Sequence, residues 1–440
     1  MSAVAEVWER DEGGFDVMGM TLAERILAKA AGLDHVKAGE FVVADIDLAL
    51  LHDIFAAQVF DILGEVGVDG VFAPGQTVVV IDHLVPAPTP EAAATHQRIR
   101  EHVSRLGINA FYDAGEGICH QLLPERGHVR PGMLIVGTDS HTTTYGALGA
   151  GGTGIGTSDM VYALATGRLW FRVPETLRFE FTGSLMNAVS WKDVILYLAG
   201  RFGADVAQYR AMEFGGSAVT EADMSSRLTV SNMALEMGAK FGLFAADEVT
   251  DAYLRDHGVT GTGLFEPDPD AVYEAVYEIP LSDLPPQISL PSEVDRVSPV
   301  EAVQGLSINQ AFIGSCTNGR IEDLRAAAEV LDGQQVAPGV RLLVAPASQR
   351  VLQEAVNTGV LASLVDAGAS VLAPGCGPCF GGHGGLLGPG ERCIGTHNRN
   401  FIGRMGSAQA EIFLASPATV AASALFGRIQ DPRHVEVPIG

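Results

Sequence analysis

The sequence predicts an α/β protein whose sheets are mainly parallel, because strand patterns alternate with helix patterns along much of the chain. Short apolar runs typical of buried strands occur at 78–81, 133–137, 310–314, 341–345 and 370–373. Helical patterns lie among these runs at 321–331 and 348–357. Strands that alternate with helices form parallel sheets. Polar residues follow directly after several strands, where open parallel sheets place their ligands.

The first helix is predicted to begin at a capping box, in which Thr21 and Glu24 satisfy each other's main-chain N–H groups. It should end at Ala31, because Gly32 is a typical stop signal. The residues before it are polar, acidic and rich in glycine, so we expect a disordered extension over 1–19. Met18 and Met20 stay open as alternative starts.

Three domains fit the 440 residues, which are enough to bury a large core. A proline-rich stretch at 282–299 is the best linker candidate, and a weaker boundary lies at 173–175. We therefore expect α/β domains over 20–174, 175–285 and 286–440, with the last carrying most of the cysteines.

Net charge and cysteine content argue against several classes of function and cellular location. The chain has 28 Lys and Arg against 53 Asp and Glu, a net charge of −25, which argues against binding to nucleic acid or anionic membranes. An anionic substrate would need local Arg residues or helix N-termini to capture it. Five cysteines without an even framework indicate a reducing compartment, and no apolar run approaches 18 residues. We expect a cytoplasmic protein.

Three cysteines lie in glycine-rich loops directly after predicted strands. Cys376 and Cys379 belong to Pro-Gly-Cys-Gly-Pro-Cys, and Cys316 belongs to Ser-Cys-Thr-Asn-Gly-Arg. Thiolates on turns at strand ends can converge on one inorganic centre. Three thiolates hold three corners of an iron–sulfur cubane and leave one iron open as a Lewis acid.

Three other readings of these cysteines stay open at this point. Cys-Gly-Pro-Cys is also the thioredoxin-type redox motif, although that motif needs a helix and Phe-Gly-Gly-His-Gly-Gly follows here. Zinc could be bound by the three cysteines and His383. Plain buried cysteines are the third reading. A separate Gly-x-Gly-x-x-Gly pattern at 149–154 is a weak dinucleotide signal, because its strand ends about a dozen residues earlier.

Several further motifs supply acids, bases and carboxylate ligands. Asp82-His83 suits a general acid oriented by a carboxylate, although taken alone this histidine is more typical of a core or surface position. His120 and the run Asp139-Ser140-His141 add two imidazoles and another carboxylate. Asn232 and Glu236 are four apart and would share a helix face. Arg399 and Arg404 lie in one loop that contains a glycine, and the guanidinium group of Arg can donate two parallel hydrogen bonds to a carboxylate.

Together these motifs resemble the aconitase superfamily, and within it the large subunits of 3-isopropylmalate dehydratases and their homoaconitase-like relatives. The resemblance runs from Met20 to about residue 432. It implies three α/β domains with mainly parallel sheets around a [4Fe–4S] cluster, with the swivel domain absent. It also implies a hydro-lyase that dehydrates and rehydrates a hydroxy-diacid, most simply the isomerisation of 2- and 3-isopropylmalate in leucine biosynthesis.

The resemblance assigns roles motif by motif. It implies that Cys316, Cys376 and Cys379 bind the cluster and that Asp82 and His83 handle the leaving hydroxyl. The groups around the reacting oxygen and water would be His120, Asp139 and Glu236. The residues that contact substrate or cluster would be His52, Ser140, Asn232, Asn398, Arg399 and Arg404. Cys119 and Cys393 match no ligand position.

The substrate side chain is the part of the resemblance that this sequence leaves open. Residues 54–58 read Ile-Phe-Ala-Ala-Gln, where isopropylmalate enzymes commonly have a more polar Val-Thr-Ser-Pro-Gln. The same chemistry on citramalate, 2,3-dimethylmalate, maleate or homoaconitate is therefore an alternative. A non-catalytic iron-responsive RNA-binding protein is a second one, which the charge of −25 disfavours.

The catalytic base is the part that this sequence lacks. In the superfamily it is a serine of the swivel domain, in a Gly-Ser-Ser-Arg-like segment, and no such segment follows Phe401. About forty residues remain there, too few for an α/β domain with its own core. We therefore expect a heterodimer with a separately encoded small subunit of the swivel-domain type.

Overall fold

The computed structural model describes residues 19–435, and these form three larger sheets and a two-stranded antiparallel ribbon. The first region contains α1 (Leu22–Ala31), β1 (Phe41–Asp45), β2 (Leu48–His52), α2 (Ala56–Glu65), β3 (Thr77–Val80), α3 (Pro90–Leu106), β4 (Ala110–Tyr112), α4 (Cys119–Glu125), β5 (Leu134–Gly137), β6 (Gly151–Gly154), α5 (Thr157–Thr166) and β7 (Arg168–Arg172). Its sheet has the order β4-β3-β2-β5-β6 with every pair parallel. The ribbon pairs β1 with β7.

The second region carries a four-stranded sheet of parallel strands in the order β10-β9-β8-β11. Its elements are β8 (Thr176–Thr182), α6 (Trp191–Phe202), β9 (Ala211–Gly215), α7 (Met224–Met233), β10 (Phe241–Phe244), α8 (Glu248–Asp256) and β11 (Ala275–Pro280). A cluster of phenylalanines fills its core, with Phe179, Phe214 and Phe244 fully or almost fully buried.

The third region carries a seven-stranded sheet in the order β13-β12-β18-β17-β14-β15-β16. In this sheet, β12 runs in the direction opposite to the other six strands. The elements are β12 (Gln287–Ser289), β13 (Val297–Pro299), β14 (Gln310–Ile313), α9 (Ile321–Leu331), β15 (Arg341–Val344), α10 (Gln349–Asn357), α11 (Val360–Asp366), β16 (Ser370–Val371), α12 (Gly377–Phe380), β17 (Arg392–Gly395), β18 (Glu411–Ala415) and α13 (Pro417–Phe426).

The predicted α/β architecture with mainly parallel sheets is confirmed. The capping box at Thr21 and the stop at Gly32 are both present, and α1 ends at Ala31 as expected. The expected linker at 282–299 is wrong from Gln287 onward, because β12 and β13 lie there and pair within the third sheet. Each larger sheet draws its strands from one predicted span, although the division into domains stays a prediction.

The predicted extension lies mostly outside the described residues, at 1–18. Its last residue, Gly19, forms a parallel bridge with Ala271, so the ordered structure includes one residue more than expected. Among residues 19–435, no helix is both long and apolar enough to cross a lipid bilayer.

Glycines allow the first and second regions to approach closely. A 3-10 helix at Ser140–Leu148 follows β5 and packs against β10, and a Cβ on Gly146 would overlap the main-chain oxygen of Gly242. On its other side the same helix packs against β6, where a Cβ on Gly152 would overlap the carbonyl of Thr142. The glycines at 149–154 therefore serve close packing and the strand β6, not a phosphate loop.

Replacing Gly146 by Ala should destabilise the protein by about 1–3 kcal/mol, because the added methyl group has to displace main chain. The control is Gly64→Ala, at an exposed position in α2 with no neighbouring atom near its Cβ. That change should be neutral or stabilising by up to about 1 kcal/mol. Thermal unfolding measures both, and equal transition temperatures for the two variants would contradict this packing account.

Candidate active site

Loops from the carboxyl ends of the first and third sheets meet at one place. The main-chain N–H of Cys376, after β16, donates to the carbonyl oxygen of Asp82, after β3, at 2.8 Å. A second contact is the bridge between Gly117 and Ser348. The strand ends of two sheets therefore face each other, and the end of α7 in the second region closes a third side with Asn232.

Two of the three cysteines are linked by one serine hydroxyl. Ser315 Oγ lies 3.7 Å from Cys316 Sγ and 3.3 Å from Cys379 Sγ. Ser315 has φ 79°, a left-handed conformation that non-glycine residues rarely adopt and that concentrates at functional sites. Cys376 packs against the small buried cluster that contains Cys316, and its Sγ lies 4.0 Å from Asp82 Oδ2.

Two buried asparagines surround the same thiols with polar groups. Asn232 Nδ2 lies 3.1 Å from Cys316 Sγ, and its Oδ1 accepts a hydrogen bond of 2.9 Å from Asn398 Nδ2. Asn398 Nδ2 lies 3.7 Å from Cys316 Sγ, and its Oδ1 accepts from Cys379 Sγ at 3.7 Å, so the N–H donors of both asparagines face Cys316. N–H groups aimed at sulfur favour the thiolate over the thiol.

The donor set fits an iron–sulfur cluster better than a single metal ion. All five cysteines are free, and burial raises the pKa of Cys316 to about 11, with the neighbouring Cys379 adding to the rise. Thiols of this kind ionise when a metal binds them. A single ion needs ligand atoms within about 4 Å of one another. Among residues 19–435, the three cysteines and His383 form no group within 4.8 Å. His383 instead lies against the carbonyl of His83, at 3.3 Å.

The imidazole of His83 lies between two carboxylates. Its Nδ1 is 2.7 Å from Asp82 Oδ1, and its Nε2 is 3.5 Å from Asp139 Oδ2. Asp139 also receives His120 Nε2 at 2.8 Å. His52 stacks on the His83 ring with centroids 4.2 Å apart. Predicted acids and bases from three separate motifs thus share one buried cluster.

Burial and neighbouring charges have opposite effects on the pKa values of His83 and Asp139. Burial alone lowers the pKa of His83, but the sulfur of Cys376 and the Asp82 carboxylate raise it well above the usual 6.5. The pKa of His52 falls to about 4, because it is buried beside His83. Burial would raise the pKa of Asp139, yet hydrogen bonds from three histidines hold it well below 3.8. His83 therefore keeps its proton while His52 stays neutral.

A second ionic group lies beside this cluster. Glu236 Oε1 is 2.7 Å from His141 Nε2 and 2.8 Å from Arg399 Nε. Another nitrogen of Arg399 donates to Ser140 Oγ at 3.1 Å. Burial would raise the pKa of Glu236, but His141 and Arg399 lower it overall. Arg399 still has one terminal nitrogen without a protein partner in the described residues, a donor free for a substrate carboxylate.

Unlike Arg399, Arg404 makes no ion pair within residues 19–435. Its guanidinium lies 5.4 Å from the ring centroid of Phe401, and its buried Nε has no hydrogen-bond partner. A buried donor without a partner is costly, so an anionic ligand is the natural complement.

Two local expectations need correction. Asn232 and Glu236 do not share one α-helix face, because α7 ends at Met233 and a 3-10 turn over Ala234–Met237 carries Glu236. They point to different partners as a result. Cys379 lies in a one-turn helix, α12, which ends at Gly381. That single turn is shorter than the helix on which a thioredoxin-type motif depends.

Sequence reasoning missed several polar residues that hold the predicted ones. Asp53 accepts the main-chain N–H groups of His83 and Leu84 at 2.9 Å each. Tyr145 OH lies 3.2 Å from His120 Nδ1. Asp53 directly follows His52 at the end of β2, so its place after a strand was a usable signal. Tyr145 carries no such signal, because only the 3-10 helix brings it beneath His120.

Comparison with known proteins agrees with this architecture. The chain matches the model of the aconitase family (aconitate hydratase) over residues 24–305 and 298–427. Among solved structures, holo aconitase X of Thermococcus kodakaraensis overlaps 84% of this chain and 88% of its own at 12% identity. Its TM-score is 0.49.

Curated relatives match over almost their whole length. The 3-isopropylmalate dehydratase large subunit 1 of Methanopyrus kandleri is 54% identical over 416 residues, covering 94% of this chain and 99% of that protein. The probable large subunit of Methanothermobacter thermautotrophicus is 52% identical, with 94% and 99% covered. The large subunit of Aquifex aeolicus is 47% identical, with 95% and 98% covered. The chain therefore belongs to the aconitase family.

Proposed function

We propose that this chain is the catalytic large subunit of a 3-isopropylmalate dehydratase, a hydro-lyase that interconverts 2- and 3-isopropylmalate in leucine biosynthesis. One observation carries the proposal: three thiols from two loops converge beside the Asp82–His83 pair. The relatives that share the family are named as large subunits of this dehydratase. Free thiols at all five cysteines suit the reducing cytoplasm.

Cys316, Cys376 and Cys379 are the proposed ligands of a [4Fe–4S] cluster. With three thiolate ligands, such a cluster supplies a Lewis acid that lowers the cost of expelling hydroxide. Asn232 and Asn398 each donate to Cys316 Sγ, and Asn398 Oδ1 accepts from Cys379 Sγ. Asn398 therefore contacts thiols of both ligand loops, and its bond to Asn232 fixes its amide in place.

His83 is the proposed general acid. Its Nδ1 is held by Asp82, so the ring is fixed and Nε2 is the nitrogen that gives up a proton to the departing hydroxyl. Asp139 lies on the Nε2 side and offers carboxylate oxygens as acceptors for the water that results, and His120 Nε2 donates to Asp139 and orients it. His52, stacked on the same ring, is neutral and excludes bulk water from it.

Arg399 and Arg404 are the proposed carboxylate ligands. Glu236 and Ser140 orient Arg399 and leave its other terminal nitrogen available to a ligand. The buried Nε of Arg404 has no hydrogen-bond partner in the described residues. Guanidinium groups bind carboxylates through paired hydrogen bonds. These local cations attract a dianion that the overall charge of −25 repels.

Cys376→Ala should abolish most iron binding, because a cubane held by two thiolates loses one corner. The matched control is Cys393→Ala, which removes a fully buried thiol from β17, outside the ligand loops. Both variants are measured by iron content and visible absorbance after anaerobic reconstitution. Equal iron in the two variants would refute the ligand assignment.

Asp82→Asn should shift the alkaline limb of the activity profile to lower pH. His83 acts as an acid, so its contribution is present below its pKa and lost as the pH rises through it. Removing a carboxylate that raises this pKa moves the loss downward. Asp61→Asn is the control, because Asp61 pairs with His102 at 3.0 Å on the surface of the molecule.

An alkaline limb of kcat/KM that is unchanged in Asp82→Asn, with cluster absorbance intact, would remove His83 from the proton transfer. A shift of the same size in Asp61→Asn would show that the effect is a general one of surface charge.

Full activity should require a separately encoded small subunit of swivel-domain type that brings the catalytic base. Loss of a positioned base costs about 10²–10⁴ in rate. The reconstituted chain, with its cluster verified, is assayed with and without that subunit on isopropylmalate, citramalate, 2,3-dimethylmalate, maleate and homoaconitate. Full activity of the lone chain would contradict the partner proposal.

The substrate panel also tests the apolar departure at 54–58. Phe55 is 37% exposed, and its ring centroid lies 5.4 Å from that of His52, so an apolar surface adjoins the proposed site. This favours a substrate with an apolar branch, which isopropylmalate has and maleate lacks. A preference for maleate would overturn the substrate assignment and leave the reaction class standing.

A further inference from the structure

Lys192 is a buried lysine that belongs to no motif and has no role so far. It is the second residue of α6, in the second region, and only 1% of it is exposed. Its Nζ donates to the carbonyl oxygens of Thr396 and His397 at 2.6 and 2.8 Å. These two carbonyls belong to the loop after β17, in the third region, immediately before Asn398 and Arg399.

The loop that Lys192 holds is tied to the ligand loop of Cys316. Thr396 Oγ1 accepts from the N–H of Gly314 and donates to the Gly314 carbonyl, at 3.0 Å each. Asn398 then bonds to Asn232 and contacts Cys316 Sγ. The ammonium group of Lys192 therefore holds a segment that contacts the loop of Cys316 and leads directly into Arg399.

No carboxylate forms a salt bridge with Lys192 in the part of the chain that the structure describes, and its hydrogen-bond acceptors there are the two carbonyls. Burial lowers its pKa to about 7, while Asp323, Cys379, Cys316 and Asp193 raise it. An isolated ammonium in the interior is costly unless an anion lies near it.

The neighbouring imidazole cannot supply that anion. Both ring nitrogens of His397 are buried without partners, and burial together with Lys192 and Arg404 lowers its pKa well below 6.5. His397 is therefore neutral. Asp323 and Asp193 supply part of the negative charge near this ammonium group, and the thiolates that would bind a cluster at Cys316 and Cys379 would add to it.

We propose that Lys192 is a positioning residue of the active site, which holds the loop that presents Asn398 and Arg399 and offsets the charge of the thiolates at Cys316 and Cys379. This inference rests on the proposed function, because the thiolates exist as such only with a bound cluster. It predicts two separable effects, one on substrate binding through Arg399 and one on the cluster through charge.

The test compares Lys192→Met with Lys29→Met in the reconstituted large subunit, assayed with its small subunit. Lys29 also donates to a main-chain carbonyl, that of Gly132 at 3.0 Å, but lies in α1, outside the site residues. Lys192→Met should raise KM by about 10- to 100-fold, the usual effect of losing hydrogen bonds to a charged group. It should also shift the midpoint potential of the cluster to a more negative value, because the reduced state loses a nearby positive charge.

Lys192→Arg keeps the charge and should restore the potential, whatever its effect on KM. Lys192→Gln, which keeps a donor without the charge, replaces the Met variant if that variant fails to fold. A wild-type potential and KM in the uncharged variant, or equal changes in Lys29→Met, would overturn the inference. A wild-type chain that binds no cluster would instead refute the proposed function.

Discussion

The active site depends on one main-chain contact between two sheets, the hydrogen bond from Cys376 N–H to the Asp82 carbonyl at 2.8 Å. It fixes the loop that carries two thiols against the loop that carries His83. The approach is so close that a Cβ on the neighbouring Gly375 would lie 2.8 Å from the same oxygen. Glycine at that position is therefore a steric requirement, and the glycine-rich character of the cysteine loop follows from it.

Charge compensation is the second constraint on this site. Buried carboxylates and thiolates need cations or hydrogen-bond donors beside them, since an unpaired buried charge is costly. Three histidines surround Asp139, and His141 with Arg399 surrounds Glu236. Local cations thus balance local anions within a chain whose overall charge is −25. The same balance holds His83 protonated and His52 neutral, although their rings are stacked.

The sequence allowed prediction of the parts that are local. Parallel sheets, the capping box of α1 and the residues after β3, β5 and β14 follow from short-range patterns, and the motifs indicated which of these residues come together. It did not reveal Asp53, Tyr145 or Lys192, because their roles arise from contacts across 25 to 205 positions. The helical face expected for Asn232 and Glu236 was wrong, since α7 tightens into a 3-10 turn that a spacing rule does not foresee.

Mössbauer spectroscopy of the chain reconstituted with ⁵⁷Fe tests the central claim most directly, because it reports each iron environment with no need for turnover. A cluster held by Cys316, Cys376 and Cys379 has one iron without a thiolate ligand. The account predicts that the signal of this iron alone shifts when the hydroxy-diacid is added. Iron that is absent, or four equivalent irons that do not respond to the diacid, would contradict it.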